Sequence, residues 1–262
     1  MNLCKEVLRR KPYYGHTLAF VLHVITGPIL LGLIITVAII SQLSIILIMV
    51  IVLFLLFSVG YIILVKKNYM EIRNLTLKKI IELADLKGNE TVLDLGTGWG
   101  FVAINFAKNI KNGKVYGIDK WRWFPYTISK IVFSMMIGSS EIAAKRNAEL
   151  EGVANKCIFI NQSFTEKLGF SDNHFNIVCS SYSLYFVGDS NKREFLFMEI
   201  DRVLKKNGKI IFVEPEKSIT RWNVELVKTF FESLGYNINI FTFPMPDRWT
   251  VSCVFFGKKL DS

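Results

Sequence analysis

The sequence predicts an α/β fold: a doubly wound, mostly parallel sheet of seven strands with a reversed last strand, preceded by a two-helix membrane hairpin. Three observations predict it. From about residue 70 to residue 257, short apolar runs rich in β-formers alternate with helical patterns, an alternation that builds a parallel sheet covered on both faces. One of the junctions, Val92-Leu93-Asp94-Leu95-Gly96-Thr97-Gly98-Trp99-Gly100, reads as strand, tight glycine turn and helix start. Before all of this, residues 12–65 form a run of 54 positions without one Lys, Arg, Asp or Glu.

The N-terminal run comes first. A bilayer crossing takes about 20 apolar residues, so the run suffices for two. The polar cluster Ser41-Gln42-Leu43-Ser44 divides it, which predicts spans near 17–40 and 44–65, the second stopped by Lys66 and Lys67. The run is far longer than the apolar region of a signal peptide. Ile45 to Phe57 are apolar without interruption, which leaves no solvated face for a helix. Gly27-Pro28 would kink the first span, and a re-entrant loop is the alternative to a full hairpin. Basic residues flank both ends (Lys5, Arg9, Arg10 and Lys11; Lys66, Lys67 and Arg73) and none lies in the turn. Both termini are therefore expected on the cytoplasmic side of an integral, multi-pass protein, with residues 1–67 as anchor, the bilayer as partner and 68–262 as a cytoplasmic domain.

Residues 69–87 have a helical period and lead into the first strand. Strands are expected at 91–95, 114–118, 156–161, 175–180, 208–214, 236–242 and 250–257, and helices at 100–110, 139–152, 191–206 and 219–234. Pro244-Met245-Pro246-Asp247 is too short for a crossover helix, so the last two strands should pair antiparallel. At the glycine turn a Cβ would penalise positive φ and block a ligand, while the first helical N–H groups point at whatever sits above. Asp94 precedes the first glycine, and Asp119 closes the next strand, 19 residues after Gly100. An acid there can accept both hydroxyls of a ribose. The glycines are spaced D-x-G-x-G-x-G rather than G-x-G-x-x-G, a turn that seats no pyrophosphate and whose acid suits a cationic ligand.

On these residues the sequence resembles the class I S-adenosylmethionine-dependent methyltransferases, a Rossmann-like family, over roughly residues 70–257 and most specifically over 91–119. The resemblance implies S-adenosylmethionine as cofactor, its methionine part lined by Gly96, Gly98 and Gly100, contacted by Asp94 directly or through water, with its ribose held by Asp119. Leu95, Thr97, Lys120 and Ser180 complete the implied contacts. Related sequences carry an acid for the adenine amine where Phe164 stands. Here Ser163 would bind the amine, or Phe164 would stack on the ring.

The acceptor side is read from two stretches. Lys120-Trp121-Arg122-Trp123-Phe124-Pro125-Tyr126 and the apolar 128–137 mix aromatics with basic residues. They form either an interfacial lid over a pocket open to the bilayer or a buried helix with a capped entrance. The same mixture suits single-stranded nucleic acid, which the neighbouring apolar run disfavours. In the resembled family the end of the fourth strand, here Cys179-Ser180-Ser181-Tyr182-Ser183-Leu184-Tyr185, faces the transferred methyl. There is no Asn/Asp-Pro-Pro-Tyr/Phe motif, which sets aside the amine-methylating DNA enzymes. Small-molecule relatives read Ser-Ser-x-x-x-His, and Tyr185 stands at the histidine. Tyr185 is therefore the catalytic candidate, although a phenol near pKa 10 is a poor base at neutral pH. Trp121, Trp123, Tyr182, Tyr185 and Glu214 are assigned to the substrate pocket.

A net charge of +10 fits an anionic surface or nucleic acid. Four scattered cysteines read as reduced, and three unclustered histidines predict no metal. The function implied is a membrane-anchored S-adenosylmethionine-dependent methyltransferase acting on a lipophilic small molecule, lipid or quinone-like. The alternative is a catalytically weak or inactive methyltransferase-fold protein that binds or assembles.

Overall fold

Apolar runs of five to seven residues have to bury both of their faces, and the computed structural model shows against what. It describes residues 29–33, 35–37, 45–121, 139–216, 223–244 and 251–260. The chain divides into two units, His16–Asn74 and Leu75–Ser262 together with Met1–Gly15.

In the unit His16–Asn74, residues 29–33 and 35–37 are helical and helix α1 (Ile45–Ala84) begins. Leu53, Phe54, Leu56 and Phe57 on α1 are exposed, and Ser58 Oγ donates to the Phe54 carbonyl at 2.8 Å. Lys66 and Lys67 end no helix: α1 continues through them, and through Glu71, Arg73, Lys78 and Lys79, as one 40-residue element. Among the described residues no helix is long and apolar enough to cross a membrane. The two-span hairpin, the bilayer partner and the integral, multi-pass placement with cytoplasmic ends are therefore withdrawn. Most of the first expected span, 17–40, lies outside the described residues.

In the other unit the sheet is built from β1 (Thr91–Leu95), β2 (Lys114–Asp119), β3 (Cys157–Asn161), β4 (Phe175–Ser181), β5 (Leu204–Pro215), β6 (Tyr236–Pro244) and β7 (Val251–Lys259). Their order is β3-β2-β1-β4-β5-β7-β6. The first five are parallel, while β7 lies antiparallel to both β5 and β6. The reversed last strand is as expected, and it inserts between its two partners.

Side chains alternate across the pleat, so each strand feeds two cores. Val92, Val115, Ile177, Cys179, Ile211 and Val213 face one layer with α2 (Phe101–Asn109) and with Ile80 and Ala84 of α1. Leu93, Leu95, Val178, Ile210 and Phe212 face the other, with α4 (Ser190–Val203) and α5 (Val224–Ser233). Helix α3 (Glu141–Leu150) joins the first layer through Ala144 and Ala148.

Short polar residues start these helices by accepting free N–H groups of the first turn. Ser140, Asp189 and Asn223 accept from the N–H groups of Ala143, Lys192 and Glu225. At its C-terminus α1 is closed by Lys209 Nζ, which donates to the Ala84 carbonyl at 2.7 Å.

One stretch departs from its sequence pattern. The helix expected over 191–206 ends at Val203, and the strand expected from 208 already starts at Leu204, which pairs with Phe175. A register shift between Phe175 and Ile177 absorbs the extra residues, with Asn207 at φ 60°.

Candidate functional site

The chain runs outward from β1 to β3 and then returns to place β4 on the other side of β1. Open α/β sheets bind ligands at the carboxyl ends of the strands at such a switch point. The carboxyl end of β1 is the glycine turn. Gly96, Gly98 and Gly100 all adopt positive φ (72°, 53° and 79°). Gly96 and Thr97 both donate to the Ile118 carbonyl at 2.9 and 3.1 Å, which fastens the turn to β2. A Cβ on Gly98 would meet no atom closer than 4.0 Å, so space stays open over the middle of the turn. A Cβ on Gly96 would lie 2.2 Å from Ser183 Oγ, so that glycine is required by packing as well as by φ.

Three carboxylates surround this turn. Asp94 is 2% exposed and works inward. Its Oδ2 accepts from Thr97 Oγ1 at 2.7 Å and from the Ala103 N–H at 3.1 Å, and the Cys179 thiol lies 3.8 Å from its Oδ1. Burial pushes its carboxyl up to about 6, against the lowering effect of these bonds. Asp94 thus joins the turn to the first turn of α2. Asp119 ends β2, and its two oxygens accept the N–H groups of Gly98 (2.9 Å) and Trp121 (2.7 Å). Burial raises its pKa as well. The amides of Trp121, Gly98 and Lys120 work against that rise, and a carboxylate offers about four acceptor positions in all.

Glu214, at the end of β5, is 1% exposed. Its Oε1 accepts from Ser180 Oγ (3.1 Å), Ser183 N–H (3.1 Å) and Leu184 N–H (3.0 Å), and its Oε2 from Tyr185 N–H (3.4 Å). Burial pushes it up to about 7.

The other residues of the sequence reading fall as follows. Leu95 and Thr97 are buried at the turn. Trp121 is half-buried with φ 42°, and its indole N–H donates to the Gly98 carbonyl at 2.8 Å, so the ring folds back on the turn. Lys120 points to Glu166, an exposed pair at 3.2 Å. Ser163 shares a hydrogen bond with Thr165 at 2.9 Å. Phe164 reaches the turn: its Cε1 would lie 3.4 Å from a Cβ on Gly96. Tyr182 has φ 54°, and its N–H donates to the Val213 carbonyl at 2.7 Å. Tyr185 is half-buried in a 3₁₀ turn (Leu184–Phe186) with its ring 4.0 Å from that of Phe186. Burial and then the charge of Glu214 push its hydroxyl up to about 12. Trp123 and the remainder of the expected lid, 122–138, lie outside the described residues.

The structure adds Ser183, which the sequence reading passed over. Its Oγ lies 3.1 Å from the Gly96 carbonyl and 3.2 Å from the Ser181 carbonyl, within donating reach of either. No local signal marks it, because its partner stands 87 positions away.

S-adenosylmethionine pairs a cationic sulfonium with a ribose, and the turn fits it. Open space lies over Gly98, a carboxylate ends β2, and acids outnumber bases among the side chains named around the turn. The fold and this site are similar to those of S-adenosylmethionine-dependent methyltransferases, and the residues of the turn fit S-adenosylmethionine as cofactor.

The comparisons with known proteins agree. Residues 93–212 match the family model described as a methyltransferase domain. A ubiquinone/menaquinone biosynthesis C-methyltransferase of Bdellovibrio bacteriovorus is 28% identical over 145 residues, 55% of this chain and 52% of that protein. A glycine/sarcosine/dimethylglycine N-methyltransferase of Actinopolyspora halophila is 27% identical over 146 residues, 55% of this chain and 22% of that protein. Against the quinone-pathway relatives the chain spans about half of their length. Among solved structures, the YcgJ protein of Bacillus subtilis superposes with a TM-score of 0.53 at 17% identity, covering 72% of this chain and all of that one. The [4+2]-cyclase SpnF reaches 0.54 at 16% identity over 72% of this chain and 82% of its own. At these identities the structures show the shared fold.

Proposed function

We propose that this protein transfers a methyl group from S-adenosylmethionine to a lipophilic small molecule of the quinol type. The observation that carries the reading is the joint presence, at one switch point, of the open glycine turn, Asp119 and the inward-facing Asp94. The acceptor class is supported by the quinone-pathway relatives, each matched over just over half of the chain.

Each residue has a task in this reading. Asp119 accepts the ribose hydroxyls beside the amides of Gly98 and Trp121. The turn from Gly96 to Gly100, open above Gly98, admits the amino-acid end beside the start of α2. Asp94 holds that turn against α2 from beneath. Phe164 flanks Gly96 on the adenine side and offers a ring face where related sequences have an acid. The bound cofactor supplies an electrophilic methyl. Tyr185, its pKa raised further by burial, stays a neutral hydroxyl at physiological pH and orients the acceptor by donating or accepting a hydrogen bond. An acceptor carbon activated by its own ring oxygen needs no stronger base from this loop.

One observation favours the rival reading of a binding or assembly protein. Both oxygens of Asp119 already accept backbone N–H groups. Calorimetric titration with S-adenosylmethionine, followed by transfer of labelled methyl to a short-chain prenylated hydroquinone, separates the two. Binding that Asp119→Ala loses, with label in the hydroquinone, supports the enzyme. Binding without label on this or any quinol tested leaves the rival.

A further inference from the structure

The loop after β4 and the glycine turn after β1 lie on neighbouring strands, yet the structure ties them by more than strand pairing. Glu214 reaches up from the end of β5 and gathers the N–H groups of Ser183, Leu184 and Tyr185, with the Ser180 hydroxyl. Three successive N–H groups converging on one buried carboxylate fix the backbone of that loop. Tyr182 just before it holds the strained φ of 54° that such a bend needs. The loop then returns a bond of its own. Ser183 Oγ stands 3.1 Å from the Gly96 carbonyl, at the place where a Cβ on Gly96 would sit. The three steps are continuous: carboxylate to loop amides, loop to serine hydroxyl, hydroxyl to the first glycine of the cofactor turn.

We propose that Glu214 is a positioning residue that acts through Ser183 to hold the glycine turn, and so couples the acceptor-facing loop to cofactor binding. The proposal rests on the methyltransferase reading for its ligand, but not for its linkage. Glu214, assigned to the substrate pocket from the sequence, spends its described bonds on the loop and on Ser180. It is buried behind the loop, and each of its oxygens already accepts from the chain itself. A carboxylate that only lined a pocket would leave an oxygen free toward that pocket. A carboxylate that only stabilised the sheet would have no reason to meet three consecutive amides of a loop bonded onward to the turn.

The test compares Ser183→Ala, Glu214→Ala and Glu214→Gln with the wild-type full chain. Amide hydrogen exchange is read in the peptides covering 182–186 and 96–100, and S-adenosylmethionine affinity by calorimetry. Ser183→Ala should leave the 183–185 amides protected, speed exchange in 96–100, and weaken the cofactor about fivefold, the worth of one ordinary hydrogen bond. Glu214→Ala should speed exchange in both peptides and weaken the cofactor more. Glu214→Gln keeps an acceptor for Ser183 and Leu184, so it should recover most of the lost protection. A folded Glu214→Ala with wild-type exchange at 183–185 overturns the proposal. So does a Ser183→Ala protein with wild-type exchange in 96–100. If Glu214→Ala does not fold, Ser183→Ala decides alone, since its side chain is only partly buried. A wild type that binds no S-adenosylmethionine defeats the functional reading, and the exchange data still decide the linkage.

Discussion

The β1–β2 side of the sheet and the β4–β5 side solve the same problem with different groups. Both end in a carboxylate that gathers backbone N–H groups. At β2, Asp119 takes one amide from the glycine turn and one from Trp121, feels that of Lys120 as well, and is only partly buried. At β5, Glu214 takes three amides and a hydroxyl and faces inward. The first arrangement leaves a partly exposed carboxylate beside an open cradle, which suits a ligand. The second, 1% exposed, shapes the chain around itself. The same chemistry therefore suits a binding group on one side, where the carboxylate is partly exposed, and a framework group on the other, where it is buried.

The two sides can be set against each other experimentally. The largest effect should come where they touch. Gly96→Ala places a methyl 2.2 Å from Ser183 Oγ at φ 72°, so it should lower stability by about 3 kcal/mol or more in urea unfolding and abolish cofactor binding. A variant as stable as wild type would mean that the two loops are not in contact.

The pH dependence of stability comes next. In the folded chain the Glu214 carboxyl keeps its proton up to about 7, while its ordinary value is 4.5. Folding therefore takes up a proton between these values. The stability from this group is complete below 4.5 and is lost as pH rises through 7, a change on the order of 3 kcal/mol. Asp94 behaves alike between 3.8 and about 6. Chemical unfolding of the apo-protein should show falling stability from pH 4 to 7, and Glu214→Gln should remove the upper part of that slope while leaving the Asp94 part. A positive slope over this range would refute the burial argument.

A smaller effect sharpens the contrast. Asp119→Asn keeps the shape but loses the charge, and S-adenosylmethionine affinity should fall about tenfold with little change in the unfolding midpoint, since a charged acceptor is worth about 1.5 kcal/mol more than a neutral one. Loss of the fold instead would make Asp119 a framework group like Glu214. The smallest change, Ser140→Ala, removes the α3 cap and should cost about 1 kcal/mol without altering cofactor affinity.

The sequence showed the β1–β2 side more fully than the other. An acid, three glycines and a second acid at strand-end spacing are local, and local patterns survive in a linear string. Where the Asp94 carboxylate points is not local, since the choice between ligand and helix start depends on how α2 closes over the turn. Ser183 and Glu214 are set by contacts 87 and about 30 positions away, and no periodicity records them. The apolar run before residue 65 misled for a related reason. Composition counts apolar residues, but whether Lys66 and Lys67 end a helix depends on the backbone beyond them, and α1 carries on to Ala84.

The position of β7 has a consequence for how the chain is assembled. β6 is an edge strand whose sheet partner among the described residues is β7, and β7 is also what joins it to β5. A chain emerging in order from a ribosome makes β6 before anything exists for it to pair with. The five parallel strands can close around the glycine turn while β6 waits with its amides unpaired. Only when the stretch 251–259 arrives, threading back between two strands made before it, does the sheet lock. Among the described residues the outer edge of the sheet thus depends for its pairing on a strand that follows it in the chain.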